Sequence, residues 1–265
     1  EKPLTETKKL PVPQNGEICL NHVSFQYEAG VKALDDVSLT IRPGTVTALV
    51  GESGGGKSTV ANLIARFWDV SEGSVTVGGV DVRKLDYADL MKHISIVFQD
   101  TNLFKMSVAE NVAMYKPGAS REEIMEALRQ ARCEDILEKL PNGVDSVIGA
   151  RGVYLSGGEM QRIALARAIL KDAPIVLLDE ATAFADAENE YLIQKALDIL
   201  LHGKTVLMIA HRLQTIVHAD QIIVMQRGGI AEQGTHEELM QRQGVYAKMY
   251  HEYENSVSWK IGGWA

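Results

Sequence analysis

The spacing of hydrophobic residues changes within the first fifty positions of the chain. Up to Ile41 apolar residues alternate with polar ones, which is typical of strands with one buried face. The alternating apolar positions are Ile18, Leu20, Val23, Phe25, Tyr27, Val37, Leu39 and Ile41. From Val46 the apolar residues form short unbroken runs: VTALVG, ISIVF, IVLLD, TVLMIA and QIIVM. Such runs predict strands buried on both faces, as in a parallel sheet covered by helices.

Helical patterns separate most of these runs. An apolar stripe predicts a helix after residue 56, and its members are Val60, Leu63, Ile64, Phe67 and Trp68. Ser120 and Thr235 are each followed three residues later by Glu, which is the capping-box signal for a helix start. Alternating strands and helices predict an α/β core. Residues 100–170 contain helical patterns and no convincing strand, so they predict a mostly helical lobe inserted between two strands of the core.

Composition narrows the class of protein. The chain has 265 residues, 46% of them hydrophobic, which is enough for one large domain or two coupled lobes. The net charge of −8, with Lys and Arg scattered along the chain, argues against a nucleic-acid partner. Cys19 and Cys133 have no metal or redox spacing and are interpreted as reduced thiols. No apolar stretch approaches the ~18 residues that span a bilayer.

A glycine-rich stretch, GESGGGKS, ends the first unbroken run and extends from Gly51 to Ser58. It fits G-x-x-x-x-G-K-[ST], with a predicted strand before it and a predicted helix after it. Glycines let the backbone curl so that several N–H groups point at one phosphate, and the helix dipole adds to the attraction. In such a loop Lys57 reaches the β- and γ-phosphates and the Ser58 hydroxyl holds Mg²⁺. The stretch therefore predicts binding of a nucleoside triphosphate with magnesium.

Polar residues follow three other buried runs, where open α/β sheets place their ligands. Asp179 and Glu180 end IVLLDE, so Asp179 suits a Mg²⁺ contact and Glu180 suits a general base for water. Gln99 follows ISIVF and suits a ligand of water or Mg²⁺. His211 follows TVLMIA and suits a contact to the γ-phosphate or the water. Each alone would be an ordinary turn or surface residue, but the phosphate loop favours the functional interpretation.

A second anion-binding pattern lies in LSGGEMQR, from Leu155 to Arg162. Ser156 and the two glycines after it open an amphipathic helix, and a helix start attracts anions. The stretch lies outside the strands that carry Lys57, Asp179 and Glu180. Taken alone it is a weak signal, and it does not say which phosphate it would contact.

The order of these features resembles the nucleotide-binding domain of an ABC transporter of the exporter-fold type. That order is GESGGGKS, Gln99, LSGGE, IVLLDE, Asp186 and His211. The resemblance extends from about residue 16 to 250 and implies an α/β P-loop NTPase core with a mostly parallel sheet, an N-terminal antiparallel β subdomain and an inserted α-helical subdomain. The implied boundaries are a linker at 1–16, the core with its β subdomain at 17–98 and 172–250, the helical subdomain with the signature at 99–171, and a C-terminal tail at 251–265.

The resemblance also implies a role for each matching residue, with ATP and Mg²⁺ as the cofactors. Tyr27 looks like the aromatic residue that stacks on adenine. The residues implied to hold this chain's own ATP are Gly51, Ser53, Gly54, Gly55, Gly56, Lys57, Ser58 and Thr59. Those implied to contact the γ-phosphate of a partner chain's ATP are Ser156, Gly157 and Gly158. Asp186 matches the aspartate of the D-loop and is also implied to be a nucleotide-binding residue. Ser58, Gln99 and Asp179 are the implied metal ligands, and Glu180, His211, Gln99 and Lys57 the implied catalytic residues.

The implied partners are a second nucleotide-binding domain and transmembrane domains, fused N-terminally in the full-length protein. Residues 104–111 and 140–149 resemble exporter segments, the first of them one on which membrane domains dock. The implied location is the cytoplasmic face of the cell membrane, the inner membrane in a bacterium, with this stretch of chain soluble. DEATAFADAENE resembles the branch that serves siderophores or iron chelates. Ala150, Met160 and 183–185 depart from the usual pattern without removing a catalytic group.

Two other classes of protein fit the sequence less well. A soluble ABC-type ATPase not coupled to transport, acting on nucleic acid, is disfavoured by the acidic balance, the docking segment and the linker-like start. A regulatory module that binds nucleotide without hydrolysing it is disfavoured because Glu180 and His211 are intact. The sequence leaves open the transported substrate, the direction of transport and the choice between homodimer and heterodimer.

Overall fold

Two β-sheets enclose the first helix, and further helices cover the outer face of the larger sheet. The protein is described by a computed structural model at residues 13, 15–27, 30–98, 102–149, 153–179, 187–210 and 212–262. The strands are β1 Ile18–Gln26, β2 Lys32–Ile41, β3 Val46–Gly51, β4 Glu72–Val77, β5 Val80–Asp81, β6 Ile94–Val97, β7 Met106–Ser107, β8 Val147–Ile148, β9 Ile175–Asp179, β10 Thr205–Ile209, β11 Gln221–Gln226 and β12 Gly229–Gly234.

The helices lie between these strands and after them. They are α1 Lys57–Ile64, α2 Tyr87–His93, α3 Val108–Ala113, α4 Arg121–Gln130, α5 Glu134–Lys139, α6 Gly157–Lys171, α7 Ala187–Leu201, α8 His236–Arg242 and α9 Val245–Gly262. Short 3₁₀ turns occur at Val82–Lys84, Gly143–Asp145 and Leu213–Ile216. Within the described parts of the chain, no helix has the length and hydropathy needed to cross a membrane.

The larger sheet has six strands in the order β12-β11-β3-β10-β9-β6. Its strands pair in parallel except for β11 and β12, which are antiparallel. Each of the five unbroken apolar runs supplies one of its strands, as predicted. The smaller sheet, β2-β1-β4-β5, is antiparallel, which confirms the predicted N-terminal β subdomain.

Alternate residues of the central strands belong to different hydrophobic clusters. In β9, Ile175 and Leu177 pack with α1 and the antiparallel sheet, whereas Val176 and Leu178 pack with the helices of the other face. This follows from the two-residue period of a strand. The phosphate-loop helix α1 and the helix α6 therefore lie on opposite faces of the same sheet.

The segment between β6 and β9 is mostly helical, as predicted, but the expectation of no strand there was wrong. β7 and β8 pair with each other at Met106 with Ile148 and Ser107 with Val147. Both are only two residues long, too short to give a pattern of alternation. This pairing places the two exporter-like segments, 104–111 and 140–149, side by side.

Asn111 and Arg167 join this pair of short strands to helix α6. Asn111 is fully buried, and its amide group donates to the carbonyls of Phe104, Met106 and Ser107 at 3.0–3.3 Å. Arg167 of α6 in turn donates to the carbonyl of Asn111 at 2.8 Å. Buried polar groups are stable when they are paired in this way.

Two predictions about helices were partly wrong. Helix α1 ends at Ile64, and Arg66 adopts a left-handed φ of 54°, so Phe67 and Trp68 lie beyond the helix and are exposed instead of continuing its buried stripe. Helix α6 is not amphipathic, because it buries residues on most sides, Arg162 and Arg167 among them. A helix packed between others has no polar face to show in its sequence.

Candidate functional site

The loop between β3 and α1 depends on glycine at several positions. Gly51, Gly54 and Gly56 have φ values of 135°, 77° and 102°, a region that L-residues with side chains rarely adopt. A Cβ at Gly51 would lie 2.0 Å from the carbonyl oxygen of Met225 in β11. The loop can therefore approach the neighbouring strand only without side chains, and this close approach fixes its path.

Lys57 lies across this loop. Its ammonium donates to the carbonyls of Gly51 at 2.8 Å and Glu52 at 2.7 Å, and the residue is 5% exposed. Burial lowers the pKa of the Lys57 amine, and the nearby charge of Asp179 only partly opposes this effect. The lysine is thus held by backbone carbonyls at the mouth of a loop shaped for an anion.

Ser58 and Asp179 line one cavity of about 150 Å³ between α1 and the ends of β9 and β10. Ser58 is the second residue of α1 and is exposed, while Asp179 is the last residue of β9 and pairs with Ile209 in β10. A hydroxyl and a carboxylate oxygen are ligands that Mg²⁺ prefers. The fold therefore brings together two of the three predicted metal ligands.

Tyr27 follows β1 and reaches α1 through its hydroxyl group. That hydroxyl donates to Oγ1 of Thr59 at 3.2 Å. The ring stands perpendicular to the rings of Phe25 and Trp68, with centroids 4.8 Å and 5.5 Å away, and is 46% exposed. An exposed aromatic ring beside a phosphate loop is a suitable platform for a base.

The LSGGE stretch forms the start of α6. Ser156 is the N-cap, its hydroxyl accepts from the N–H of Glu159 at 3.2 Å, and the Glu159 carboxylate accepts from the N–H of Ser156 at 2.8 Å. Gly157 is exposed, whereas a Cβ at Gly158 would lie 2.7 Å from the Cβ of Asn189 in α7. The stretch is thus a capped helix start whose second glycine is required by packing.

A family comparison identifies this arrangement. The family model for "ABC transporter" matches residues 34–183, which include the phosphate loop, LSGGE and IVLLDE. The chain belongs to the ABC transporter family. Membership implies that this domain binds ATP, and it makes the chain the nucleotide-binding domain of a transporter ATPase.

Similar proteins include one named for import and one named as a flippase. The mycobactin import ATP-binding/permease protein IrtA of Mycolicibacterium thermoresistibile is 53% identical over 235 residues, which are 89% of this chain and 26% of that protein. The ATP-dependent lipid A-core flippase of Legionella pneumophila strain Lens is 48% identical over 235 residues, which are 89% of this chain and 40% of that protein. The chain therefore spans only about a quarter to two fifths of these relatives.

A solved structure supports the fold of the ABC domain as well. A bacterial Atm1-family ABC exporter with ATP bound matches with a TM-score of 0.86 and 37% identity, over 94% of this chain and 44% of that one. The combination of an α/β core, an antiparallel β subdomain and a helical insertion is therefore that of an ABC ATPase domain.

Several predicted site residues of the ABC domain lie outside the described residues. They are Gln99, Glu180, Asp186 and His211, together with the departures at Ala150 and 183–185. Ser53 and Gly55 lie within the described loop, where Gly55 is buried and Ser53 exposed. The geometry thus brings together Tyr27, Lys57, Ser58, Thr59 and Asp179 around α1.

Two side chains in this region were not predicted as part of the site. Asn62 of α1 donates to the Tyr27 hydroxyl at 3.4 Å, and Trp68 contacts the Tyr27 ring. No sequence pattern singles out Asn62. The sequence signal for Trp68 is its position as the last member of the apolar stripe, beyond Ile64, where helix α1 ends.

Proposed function

We propose that this domain binds MgATP and hydrolyses it to drive a membrane transporter. The proposal rests mainly on the glycine loop that holds Lys57, because its curled backbone and its cation suit a triphosphate. Ser58 and Asp179, which line one cavity at the start of α1, suit the metal of that triphosphate. The relatives named above are transporters, which favours coupling to transport over an ABC-type ATPase that acts in solution.

In this proposal the groups around α1 position the triphosphate. The N–H groups of the loop and of the first turn of α1 face the phosphates, and Lys57 supplies a cation to the β- and γ-phosphates. Ser58, Gln99 and Asp179 would hold Mg²⁺, which neutralises charge on the phosphates. Glu180 would accept a proton from the attacking water, with His211 and Gln99 orienting that water and the γ-phosphate.

The start of α6 is proposed to serve a second nucleotide-binding domain. Helices α1 and α6 lie on opposite faces of one sheet, which favours contact of Ser156, Gly157 and Gly158 with an ATP held by another chain. Asp186 would lie at the same interface. Two domains would then meet head to tail about a two-fold axis, each ATP joining them until hydrolysis removes the γ-phosphate.

Transmembrane domains are the second proposed partner, which places this domain at the cytoplasmic face of a membrane. The paired strands β7 and β8 and the exposed ring of Phe104 form a surface on which such domains could dock. The 53% identity to a mycobactin importer supports the iron-chelate branch. Because the 48% identical relative is a lipid A-core flippase, the substrate and the direction of transport are left open.

The substitution Glu180→Gln tests hydrolysis. It removes the proposed base and keeps the shape of the side chain, so we expect ATP turnover to fall at least about 100-fold while MgATP binding is unchanged. Turnover is measured by phosphate release and binding by calorimetry. Normal turnover in this variant would show that Glu180 is not the base.

The substitution Ser156→Arg tests the role in trans. We expect Ser156→Arg to spare ATP binding to the monomer and to prevent the ATP-dependent dimer that the Glu180→Gln background accumulates. Sedimentation with ATP, and with ADP as the control, measures the dimer. A full dimer in the double variant would contradict the contact between α6 and the partner's ATP.

A further inference from the structure

We infer that Trp68 is a positioning residue for the nucleotide base and that it acts through Tyr27. This rests on the proposed function, in which Tyr27 stacks on the base. The observation that carries the inference is the way in which the Tyr27 ring is fixed: aromatic rings hold it on two sides, and a hydrogen bond holds its hydroxyl.

The two aromatic neighbours of Tyr27 differ in burial. Phe25 is 4% exposed and forms part of the core, with its ring at 89° to that of Tyr27. Trp68 is 51% exposed, and its ring is also at 89° to that of Tyr27. Perpendicular aromatic pairs are favourable and directional. Phe25 therefore fixes the ring from the core, and Trp68 fixes it from the solvent side.

The hydroxyl group of Tyr27 is attached to the helix that holds the phosphates. It donates to Thr59 and lies within 3.4 Å of the Asn62 amide, and both residues belong to α1. The first residue of α1 is Lys57. The distance between the base platform and the phosphate loop is thus set by a short path through one helix.

The backbone after α1 brings Trp68 back toward Tyr27. Arg66 adopts a left-handed φ of 54°, and its guanidinium donates to the carbonyl of Leu85 at 3.0 Å and to Asp69 at 3.2 Å. Non-glycine residues adopt this conformation only when their surroundings hold it. The turn that exposes Trp68 is therefore fixed, and a fixed, exposed tryptophan next to a base platform is suited to holding that platform.

The inference predicts an effect that depends on the base of the ligand. If Trp68 holds the orientation of Tyr27, its removal weakens ligands that carry adenine and leaves a bare phosphate chain unaffected. If Trp68 only covers the core at Phe25, its removal changes the affinity for both kinds of ligand by the same factor or leaves both unchanged, because lost stability does not distinguish adenine from a bare phosphate chain.

The test compares Trp68→Ala with the parent chain by calorimetry, using MgATP and magnesium tripolyphosphate as ligands. We expect the ATP affinity to fall roughly 3- to 10-fold, as for the loss of one favourable ring pair, and the tripolyphosphate affinity to stay the same. Trp68→Phe should recover part of the loss. The control is Tyr87→Ala, which removes another exposed ring, 47% exposed, at the start of α2.

A double substitution decides whether Trp68 acts through Tyr27. In the Tyr27→Ala background we expect Trp68→Ala to have no further effect on ATP affinity. A fully additive loss would overturn the inference, because Trp68 would then contact the nucleotide itself, and an equal loss for both ligands would overturn it in favour of a structural role.

Failure of the inference is distinguishable from failure of the proposed function. If Tyr27→Ala leaves ATP affinity unchanged while Lys57→Ala abolishes binding, the roles proposed for Tyr27 and Trp68 are wrong, but the proposed phosphate site is supported. If Lys57→Ala leaves ATP affinity unchanged, the proposed function falls.

Discussion

Helices α1 and α6 both have a small N-cap residue within a glycine-rich stretch, but their first N–H groups differ in whether a side chain pairs with them. The first N–H groups of any helix have no partner within the helix. At α1 the N-cap is Gly56, which has no side chain to cap them. At α6 the N-cap is Ser156, and a complete capping box with Glu159 already pairs two of the N–H groups.

The charges at the two helix starts also favour an anion at α1 over one at α6. The first turn of α1 carries Lys57 and no acidic residue, whereas the first turn of α6 carries Glu159. Lys139, 3.2 Å away, offsets part of the Glu159 charge. A phosphate is therefore attracted strongly to α1 and weakly to α6. This difference suits α1 as the primary phosphate site and α6 as a second contact to a phosphate that is already bound elsewhere.

The largest expected effect comes from Lys57→Ala. The substitution removes the cation of the primary site, so we expect MgATP affinity to fall by about 100-fold or more. Lys139→Ala is the matched control, because it removes the cation beside α6 and should leave ATP binding to the monomer unchanged. Calorimetry at low protein concentration measures both. Equal losses from the two substitutions would break the distinction between the helix starts.

The glycines of the α1 loop give the next largest effect. Gly51→Ala places a Cβ against the Met225 carbonyl at a φ of 135°, and we expect it to lower the free energy of unfolding by about 2–3 kcal/mol. Gly54→Ala meets no atom of the described residues within 4 Å, so only its φ of 77° is unfavourable, at about 1 kcal/mol. Chemical denaturation measures both, and a smaller loss at Gly51 than at Gly54 would contradict the close approach.

The sequence predicted the parts of this fold that have a repeating pattern. Five unbroken runs became strands of the larger sheet, and the capping boxes at Ser120 and Thr235 formed as expected. The same reasoning predicted too long a helix α1. The apolar stripe continues to Phe67 and Trp68, but the backbone turns at Arg66. Periodicity reports which residues are apolar, but it does not show where a residue such as Arg66 ends the helix.

The candidate site was predictable in its residue types but not in its connections. The phosphate loop follows from a spacing that chemistry restricts, so Lys57 and Ser58 could be found directly. The hydrogen bond of Tyr27 to Thr59 and the contact of Trp68 with Tyr27 join residues that are distant in sequence. Such contacts depend on how α1 packs beneath the antiparallel sheet, and no local pattern encodes that packing.

Ser156→Ala should produce a smaller loss of stability with a specific functional consequence. Removing the cap should cost about 1 kcal/mol, measured by chemical denaturation. Ser120→Ala is the control, because it removes the same kind of box from α4 in the same lobe and should cost a similar amount. Only Ser156→Ala should also weaken ATP-dependent dimerisation in the Glu180→Gln background. If Ser120→Ala weakened the dimer equally, the effect would come from loss of stability.

Glu159→Gln should have the smallest effect and a characteristic pH dependence. Burial raises the pKa of the Glu159 carboxyl, but the N–H and hydroxyl of Ser156 and the ammonium of Lys139 together hold it below its ordinary value of 4.5. A lowered pKa stabilises the folded state above pH 4.5, and that contribution is lost as the pH falls through the folded-state value.

Glutamine keeps the capping geometry but does not titrate, and the ion pair with Lys139 is partly solvated. We therefore expect the variant to be less stable by about 0.5 kcal/mol at neutral pH, with the difference disappearing in acid. Chemical denaturation of both proteins, from neutral pH into acid, measures this difference in stability. A difference that stayed constant with pH would show that the Glu159 charge does not stabilise the start of α6.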